Sequence, residues 1–227
     1  MKRSDEIMLV CDHISKTYEG SGARTNVLKQ INIAFPKGSM NLIYGKSGSG
    51  KTTLLNILAG LDQPSQGNVF FLGRRLGSMG ESELSKLRGL NFGFVFQAYH
   101  LIPRLRIEGN ILCPSDINGK PYDKNYYQFL IQELGIEGLV KKMPYELSGG
   151  EQQRVAIARA MLLKPKIIFA DEPTGNLDTE NTKVITDLFQ KLNQEYDTTF
   201  IIVTHEEKLM EHCDQEIRLR DGEIQVE

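Results

Sequence analysis

The sequence predicts an α/β fold with a helical insertion and with additional β-structure near both ends. Two apolar runs, "KIIFADEP" and "TTFIIVTH", each end in polar residues. This pattern is typical of central parallel strands that carry functional groups at their carboxyl ends. Between them, "NTKVITDLFQKLNQEY" has the amphipathic pattern of a crossover helix. The tail "EIRLRDGEIQVE" predicts a hairpin, because Asp-Gly separates two strand-like runs.

The first hundred residues mix short strands and turns with one helix. The stretch "EGSGARTN", residues 19–26, predicts a hairpin loop between two strand-like runs. "MNLIY" predicts a buried strand, and a glycine-rich loop follows it. Two further strand-like runs are "NVFFLG" and "FGFVFQ". After the glycine-rich loop, five side chains predict the apolar face of a helix: Leu54, Leu55, Ile57, Leu58 and Leu61.

The sequence pattern changes in the middle of the chain, and this part predicts the helical insertion. Residues 103–143 are less regular and more helical, with loop residues at "PSDINGKP". "LSGGEQQR" then begins another helix, because Ser148 and Glu151 fit the S-x-x-E capping box. The α/β core is therefore interrupted by helices before its last strands.

Composition and charge exclude several classes of protein. The chain has 227 residues, of which 40% are hydrophobic and 25% are charged, as in an ordinary soluble domain. A formal net charge of -2 provides no bulk basic field, so we expect no nucleic-acid partner. No apolar stretch approaches the roughly 18 residues of a membrane span, so we expect no direct membrane insertion. Three widely spaced cysteines and a charged amino terminus without signal-peptide character favour a cytoplasmic location.

The glycine-rich loop is a phosphate-binding candidate. "GKSGSGKT", residues 45–52, matches G-x-x-x-x-G-K-[ST], with a predicted strand before it and a predicted helix after it. In such a loop the backbone N–H groups cradle phosphate oxygens. Lys51 would reach the β- and γ-phosphates, and the Thr52 hydroxyl would bind Mg²⁺. The alternative is a flexible turn with a solvated lysine.

Four polar residues at predicted strand ends are candidates for catalysis. Asp171 ends "KIIFAD" and would hold Mg²⁺, while the adjacent Glu172 could orient and deprotonate an attacking water. His205 ends "TTFIIVTH" and could hydrogen-bond a γ-phosphate. Gln97 closes "FGFVFQ", and its amide could bind Mg²⁺ or position water. Each of them alone has a structural alternative, and the phosphate loop upstream strengthens the catalytic interpretation.

Together these motifs closely resemble the ATP-binding subunit of ABC transporters, over nearly the whole chain. "LSGGEQQR" is similar to the family signature, "GNLD" to the D-loop and "VTH" to the segment with the switch histidine. "KTY" places Tyr18 where the family stacks an aromatic ring on adenine. The resemblance implies ATP and Mg²⁺ as cofactors. The nucleotide-binding residues that it implies are Tyr18, Gly45, Ser47, Gly48, Ser49, Gly50, Lys51, Thr52, Thr53, Ser148, Gly149, Gly150 and Asp178.

The resemblance also implies an architecture and a set of partners. It implies one ABC ATPase domain, residues 1–227, with a phosphate-loop NTPase core of RecA-like fold and an antiparallel β-subdomain in about 1–98 and 164–227. A helical subdomain, about 99–163, carries the signature. ATP would close a head-to-tail dimer of two copies, in which the signature contacts the γ-phosphate of ATP on the opposite copy. The motion would reach integral membrane permease subunits, which hold the chain at the inner face of the cell membrane.

"DEPTGNLD" and the long loop after Tyr18 resemble one branch of the family. This branch includes the lipoprotein-releasing, macrolide- and peptide-export, bacitracin-sensing and cell-division ATP-binding subunits. Two functions stay open: an ATPase that powers a permease, or an ATP-dependent regulatory subunit of a cell-division-type complex that transports nothing. A degenerate module that binds ATP without hydrolysis is disfavoured, because the catalytic set is complete: Lys51, Asp171, Glu172 and His205.

Overall fold

The computed structural model describes residues 6–19, 24–175, 177–207, 209–210 and 212–225. The strands are β1 (Ile7–Glu19), β2 (Arg24–Pro36), β3 (Met40–Tyr44), β4 (Gln66–Phe71), β5 (Arg74–Arg75), β6 (Phe92–Phe96), β7 (Ile167–Asp171), β8 (Thr199–Thr204), β9 (Gln215–Arg220) and β10 (Glu223–Gln225). The α-helices are α1 (Lys51–Leu58), α2 (Glu81–Asn91), α3 (Ile107–Asn118), α4 (Lys124–Glu133), α5 (Gly149–Met161) and α6 (Thr179–Tyr196).

The strands form two sheets, one antiparallel and one mainly parallel. The smaller sheet is antiparallel, in the order β2-β1-β4-β5. The larger has the order β10-β9-β3-β8-β7-β6, and its strands are parallel from β9 to β6. The β9–β10 hairpin adds an antiparallel edge to this sheet. Because β3, β6, β7 and β8 run in one direction, their carboxyl ends lie along one edge of the sheet.

Both faces of the larger sheet are buried, which explains its continuous apolar strands. Phe200 and Ile202 of β8 belong to a core shared with helices α3 to α6. Ile201 and Val203, the alternate residues, belong to a second core that includes α1 and the antiparallel sheet. Successive side chains of a strand point to opposite faces, so a single strand supplies both cores.

The predicted α/β class is confirmed, and so are most elements of the larger sheet. β3, β7, β8, α6 and the β9–β10 hairpin lie where the sequence pattern predicts them. β1 and β2 pair antiparallel up to Glu19 and Arg24, as the predicted loop requires; residues 20–23 of that loop lie outside the described part. Helices α3, α4 and α5 fall within residues 99–163, and the division into subdomains at those limits stays a prediction.

Three expectations about local structure were wrong or incomplete. Helix α1 ends at Leu58, and Leu61 beyond it is exposed rather than part of the apolar face. The predicted loop "PSDINGKP" begins inside α3, which continues through Pro114 to Asn118. Burial of Ile107 and Ile111 on the same helix outweighs the helix-breaking tendency of proline. Helix α2 was not predicted at all, since its sequence is mostly polar.

Candidate nucleotide-binding and hydrolysis site

The parallel strands bring all of the predicted catalytic residues into one cleft. The loops that follow β3, β6, β7 and β8 meet at the carboxyl edge of the sheet. They enclose a cleft of about 490 Å³. The residues that line it are Val27, Ser47, Gly48, Gly50, Lys51, Thr52, Thr53, Gln97, Asp171, Glu172 and His205. All four predicted catalytic residues and all three predicted metal ligands are therefore in one place.

The phosphate loop needs glycine at two of its positions. Gly50 has a left-handed backbone, with φ 101°, and a Cβ atom there would lie 2.9 Å from the carbonyl oxygen of Val27. At Gly45 a Cβ atom would overlap the carbonyl oxygen of Leu219. Helix α1 starts immediately after Gly50, and its first N–H groups have no acceptor within the helix. The end of the loop is thus built as an anion site.

Not every residue of the loop faces this cleft. Gly45 and Ser49 line a neighbouring cavity on the other side of the loop, together with Arg218 and Arg220. Ser49 is buried, and its hydroxyl has no hydrogen-bond partner. The loop is one continuous motif in the sequence, but in the structure its two sides line different cavities.

Lys51 lies across the phosphate loop. Its side chain is buried, with 8% of the residue exposed. Its Nζ atom donates to the carbonyl oxygens of Gly45 at 2.8 Å and of Lys46 at 3.2 Å. The ammonium group is therefore held in the wall of the cleft, where it contributes a positive charge to an anion bound by the loop.

Thr52 and Asp171 form an oxygen-rich pair in the same cleft. The Thr52 hydroxyl donates to Oδ1 of Asp171 at 3.3 Å. Burial raises the pKa of Asp171, and the nearby charge of Glu172 adds to the increase, against the opposing effects of Thr52 and Lys51. Because burial disfavours the ionised form of this carboxylate, a bound cation would stabilise that form strongly. Hydroxyl and carboxylate oxygens, with the amide of Gln97 lining the same cleft, are ligands of the type Mg²⁺ prefers.

Glu172 follows Asp171 at a sharp turn of the backbone. Its φ of 46° is left-handed, and its N–H donates to the carbonyl of Val203 at 2.9 Å. Its Oε2 atom lies 3.0 Å from Nδ1 of His205 and accepts a hydrogen bond from the Thr204 hydroxyl at 3.1 Å. Strained backbone of this kind costs about 1–3 kcal/mol and is concentrated at functional sites. The carboxylate is therefore held against the end of β8.

Tyr18 lies beside the cleft rather than in its lining. It is on β1 and is 44% exposed. Its hydroxyl donates to Oδ2 of Asp62 at 2.7 Å. Burial and Asp62 raise the pKa of this hydroxyl, and the nearby side chain of Thr53, which lines the cleft, opposes the increase. The aromatic ring is thus placed next to the first turn of α1.

The signature segment lies away from the cleft. Ser148 caps α5: its hydroxyl accepts from the N–H of Glu151 at 3.3 Å, and its own N–H donates to Oε2 of Glu151 at 2.7 Å. The predicted capping box is confirmed. Among the described residues that line the cleft, none comes from the segment Ser148, Gly149 and Gly150. The two glycine loops of one chain therefore do not form one site.

Asp178 is placed at the start of α6. It caps this helix by accepting from the N–H of Asn181 at 2.8 Å. Asn181 in turn accepts from Arg154 of α5 at 2.7 Å, and buried Gln153 donates to the carbonyl of Pro173 at 2.7 Å. The signature helix is thus tied directly to the segment between Glu172 and α6; Asn176 of the predicted D-loop lies outside the described residues.

The sequence missed several residues of the site. The Thr204 hydroxyl donates to the carboxylate of Glu172. Its position just before His205 in the "VTH" motif could have indicated that it belongs to the site. Val27 lines the cleft from β2, and Asp62 contacts Tyr18 from the turn after α1. Val27 and Asp62 belong to no motif. They lie near the site because the antiparallel sheet packs against this part of the molecule.

Comparison with known sequences identifies the family. Residues 28–175 match the sequence model of the family described as "ABC transporter", and this is more than half of the chain. The chain belongs to the ABC transporter family. This ABC transporter protein is an ATP-binding cassette with ATPase activity.

Curated relatives of this ABC transporter protein match it over nearly their whole length. The lipoprotein-releasing system ATP-binding protein LolD of Aquifex aeolicus is 45% identical over 96% of this chain and 96% of its own. LolD of Francisella tularensis is 40% identical over 98% of this chain and 97% of its own. An ABC transporter ATP-binding protein of Methanocaldococcus jannaschii is 43% identical over 96% of this chain and 97% of its own.

Solved structures of cassettes have the same fold as this ABC transporter protein. A dimeric post-hydrolysis state of the ATP-binding cassette MJ0796, bound to ADP and Pi, has a TM-score of 0.89 and 35% identity. The match covers 96% of this chain and 97% of that one. A second dimeric structure of the same cassette has the same scores. Among the described residues of the present chain, no helix is both long enough and apolar enough to cross a membrane.

Proposed function

We propose that this chain is the ATP-hydrolysing subunit of a lipoprotein-releasing ABC transporter, and that it powers a membrane permease through ATP-driven closure of a dimer. The observation that carries the ATPase part is the convergence of Lys51, Asp171, Glu172 and His205 in one cleft. The names of the relatives from Aquifex and Francisella support the lipoprotein-releasing part. A regulatory, cell-division-type function is not favoured, because these relatives are release proteins.

Binding of ATP uses the phosphate loop and the aromatic ring beside it. The N–H groups at the start of α1 and the ammonium of Lys51 hold the phosphates. Tyr18, exposed next to Thr53, provides a face on which the adenine base stacks. Tyr18 and the phosphate loop are far apart in the sequence. The pairing of β1 with β2, whose Val27 lines the cleft, brings the ring close to the loop.

The oxygen ligands of the cleft fit Mg²⁺. Thr52 and Asp171, whose side chains are 3.3 Å apart, would hold the ion together with Gln97. When bound, the ion neutralises charge on the phosphate oxygens. The hydrogen bond between Thr52 and Asp171 keeps the two side chains side by side for this task.

Hydrolysis requires a proton acceptor beside the γ-phosphate. The Glu172 carboxylate orients a water molecule and accepts its proton while the water oxygen attacks the γ-phosphorus. The bond to the bridging oxygen of ADP breaks, and inorganic phosphate leaves. His205 donates a hydrogen bond to the γ-phosphate, and its contact with Glu172 holds both side chains at the end of β8.

The signature segment completes the site of a second copy. Ser148, Gly149 and Gly150 begin a capped helix, whose N-terminus attracts negative charge. They lie away from the cleft of their own chain, so the γ-phosphate they contact belongs to ATP on the opposite subunit. The dimeric state of the similar MJ0796 cassette supports this arrangement. Permease subunits at the inner face of the membrane then receive the motion.

The dimer proposal is tested by the concentration dependence of hydrolysis. Phosphate release with ATP and Mg²⁺ is measured over a range of protein concentrations, with the molar mass followed by light scattering. We expect activity to rise more than linearly across the range in which the dimer forms. Strictly linear activity over that range would contradict the dimer while leaving the ATPase assignment intact.

The release function is tested with the membrane proteins encoded beside this chain. The chain and those proteins are co-expressed, purified together and placed in lipid vesicles that contain a lipidated reporter protein. We expect co-purification and ATP-dependent release of the reporter. Hydrolysis without release, in a complex that forms normally, would show that the chain serves another substrate or a regulatory complex.

A further inference from the structure

Asp62, which lies outside every sequence motif, and Lys16, the first residue of "KTY", form a polar network around the ring of Tyr18. Oδ2 of Asp62 accepts the hydroxyl proton of Tyr18 at 2.7 Å. Oδ1 of Asp62 accepts from Nζ of Lys16 at 2.7 Å, and the same ammonium donates to the carbonyl of Gln63 at 2.7 Å. The network therefore connects β1 with the turn that follows α1.

Lys16 also contacts the flat side of the Tyr18 ring. Its Nζ atom lies 4.7 Å from the ring centroid, a cation–π distance. The lysine is 9% exposed, whereas the tyrosine is 44% exposed. One face of the ring is therefore covered by a buried cation, and a ligand can stack only on the other face.

The network is charged and directed toward the cleft. Partial burial acts against ionisation of Asp62, but hydrogen bonds from Lys16, Tyr18 and the backbone of Gln63 together lower its pKa below the ordinary value. Asp62 is thus a carboxylate at neutral pH. The Thr53 side chain lines the cleft and lies near the Tyr18 hydroxyl, where it opposes the rise in pKa that burial and Asp62 cause.

We propose that Asp62 is a positioning residue for adenine, which fixes the Tyr18 ring in the orientation on which the base stacks while Lys16 occupies the opposite face. The inference rests on the proposed function, because it takes Tyr18 as the surface that binds adenine. An exposed tyrosine otherwise loses side-chain freedom when a ligand stacks on it, and fixing the ring beforehand removes that cost. Asp62 then contributes to the affinity for the base and not to the affinity for the phosphates.

The test compares two ligands that differ only in whether they carry a nucleoside. The dissociation constants of ATP and of inorganic tripolyphosphate, each with Mg²⁺, are measured by titration calorimetry. Asp62→Ala is expected to weaken ATP binding about three- to tenfold, which corresponds to the net contribution of one typical hydrogen bond. Tripolyphosphate binding is expected to stay unchanged. Asp62→Asn keeps an acceptor for the tyrosine hydroxyl, so its effect on ATP should be smaller.

Two further variants separate positioning from general structure. Tyr18→Phe removes only the hydroxyl and should weaken ATP binding by a similar factor. Combined with Asp62→Ala it should add little, because both changes break the same hydrogen bond. Asp12→Asn is the matched control, since Asp12 lies on the same strand and pairs with His13 instead of Tyr18. It should leave both ligands unaffected.

The possible results are distinguishable. Equal weakening of ATP and tripolyphosphate in Asp62→Ala would make Asp62 a structural residue and overturn the inference. Unchanged ATP affinity in both Asp62→Ala and Tyr18→Phe would overturn it as well. If Tyr18→Ala also leaves ATP affinity unchanged, the adenine-stacking part of the proposed function fails along with it. If only Tyr18→Ala weakens ATP binding, stacking stands and positioning by Asp62 does not.

Discussion

Nδ1 of His205 lies 3.0 Å from Oε2 of Glu172, although the two residues are at the ends of different strands. Thr204 donates to the same carboxylate oxygen at 3.1 Å. We propose that the Glu172 carboxylate accepts the proton of water and that His205 contacts the γ-phosphate. These two side chains therefore contact each other. Because each residue directly follows one of two adjacent parallel strands, β7 and β8, the pairing of these strands sets the spacing of the two side chains.

Replacing Glu172 by Gln removes the proton acceptor and keeps the shape of the side chain. The Gln oxygen can still accept from Thr204, so the fold should be retained. We expect ATP binding to persist, hydrolysis to fall by at least about 10²-fold and a stable ATP-bound dimer to accumulate. Phosphate release and light scattering measure these effects. Glu206→Gln, at an exposed neighbour, is the control, and wild-type turnover in Glu172→Gln would remove Glu172 from the base role.

Lys51→Ala deletes the ammonium group held across the phosphate loop. Its hydrogen bonds to the carbonyls of Gly45 and Lys46 place its charge in the cleft wall. We expect ATP affinity to fall about tenfold or more, because charge-assisted contacts to phosphate are lost. Calorimetric titration with ATP measures the change. Lys29→Ala, which removes an exposed lysine paired with Glu223, should not alter the affinity. Unchanged affinity in Lys51→Ala would count against the phosphate loop.

Ser148→Arg distinguishes a helix cap from an anion site that acts on a second copy. The change removes the cap of α5, at a cost of about 1 kcal/mol in the free energy of unfolding. It also places a bulky side chain on the face proposed to meet the opposite subunit. We expect ATP binding by the monomer to be nearly intact, and closure and hydrolysis to be blocked.

The control for this prediction is Ser148→Ala, which removes the cap without adding bulk. Thermal unfolding should show a similar loss of stability for both variants. Only Ser148→Arg should prevent the ATP-dependent increase in molar mass seen by light scattering. A fully active Ser148→Arg protein would show that the segment is no more than a cap.

Asp171→Asn should stabilise the nucleotide-free protein at neutral pH while impairing hydrolysis. Burial raises the pKa of Asp171 above its ordinary value of 3.8, so the folded protein binds a proton more readily than the unfolded chain. Ionisation therefore destabilises the fold increasingly as pH rises through the raised pKa. The destabilisation disappears as pH falls below 3.8, where the side chain is protonated in both the folded and the unfolded state.

This stability effect is measured by thermal unfolding of both proteins across that pH range. The melting temperature of Asp171→Asn should exceed that of the wild type at neutral pH, and the difference should shrink toward acid. Added Mg²⁺ and ATP should reverse the order, because only the wild type keeps its carboxylate ligand. A variant that is less stable than the wild type at neutral pH would contradict the unfavourable environment of Asp171.

Residues within local patterns could be predicted without the structure. The phosphate loop, the acidic pair Asp171 and Glu172, and the cap at Ser148 each depend on neighbours a few positions apart. Continuous apolar runs identified β3, β7 and β8, because strands buried on both faces have no polar alternation. Helix α2 escaped prediction because its polar sequence lacks a strong apolar face, and only Leu84 and Leu87 of it are buried.

The sequence by itself determined that the chain has a parallel α/β core with a phosphate-loop motif and polar residues at the strand ends, since motif and periodicity are local properties. The tertiary structure decided which distant residues meet. It joined Tyr18 to Asp62, and it separated Ser148 from the cleft that contains Lys51. Contacts of this kind depend on how β1, α1 and α5 pack in three dimensions, and no spacing along the chain encodes them.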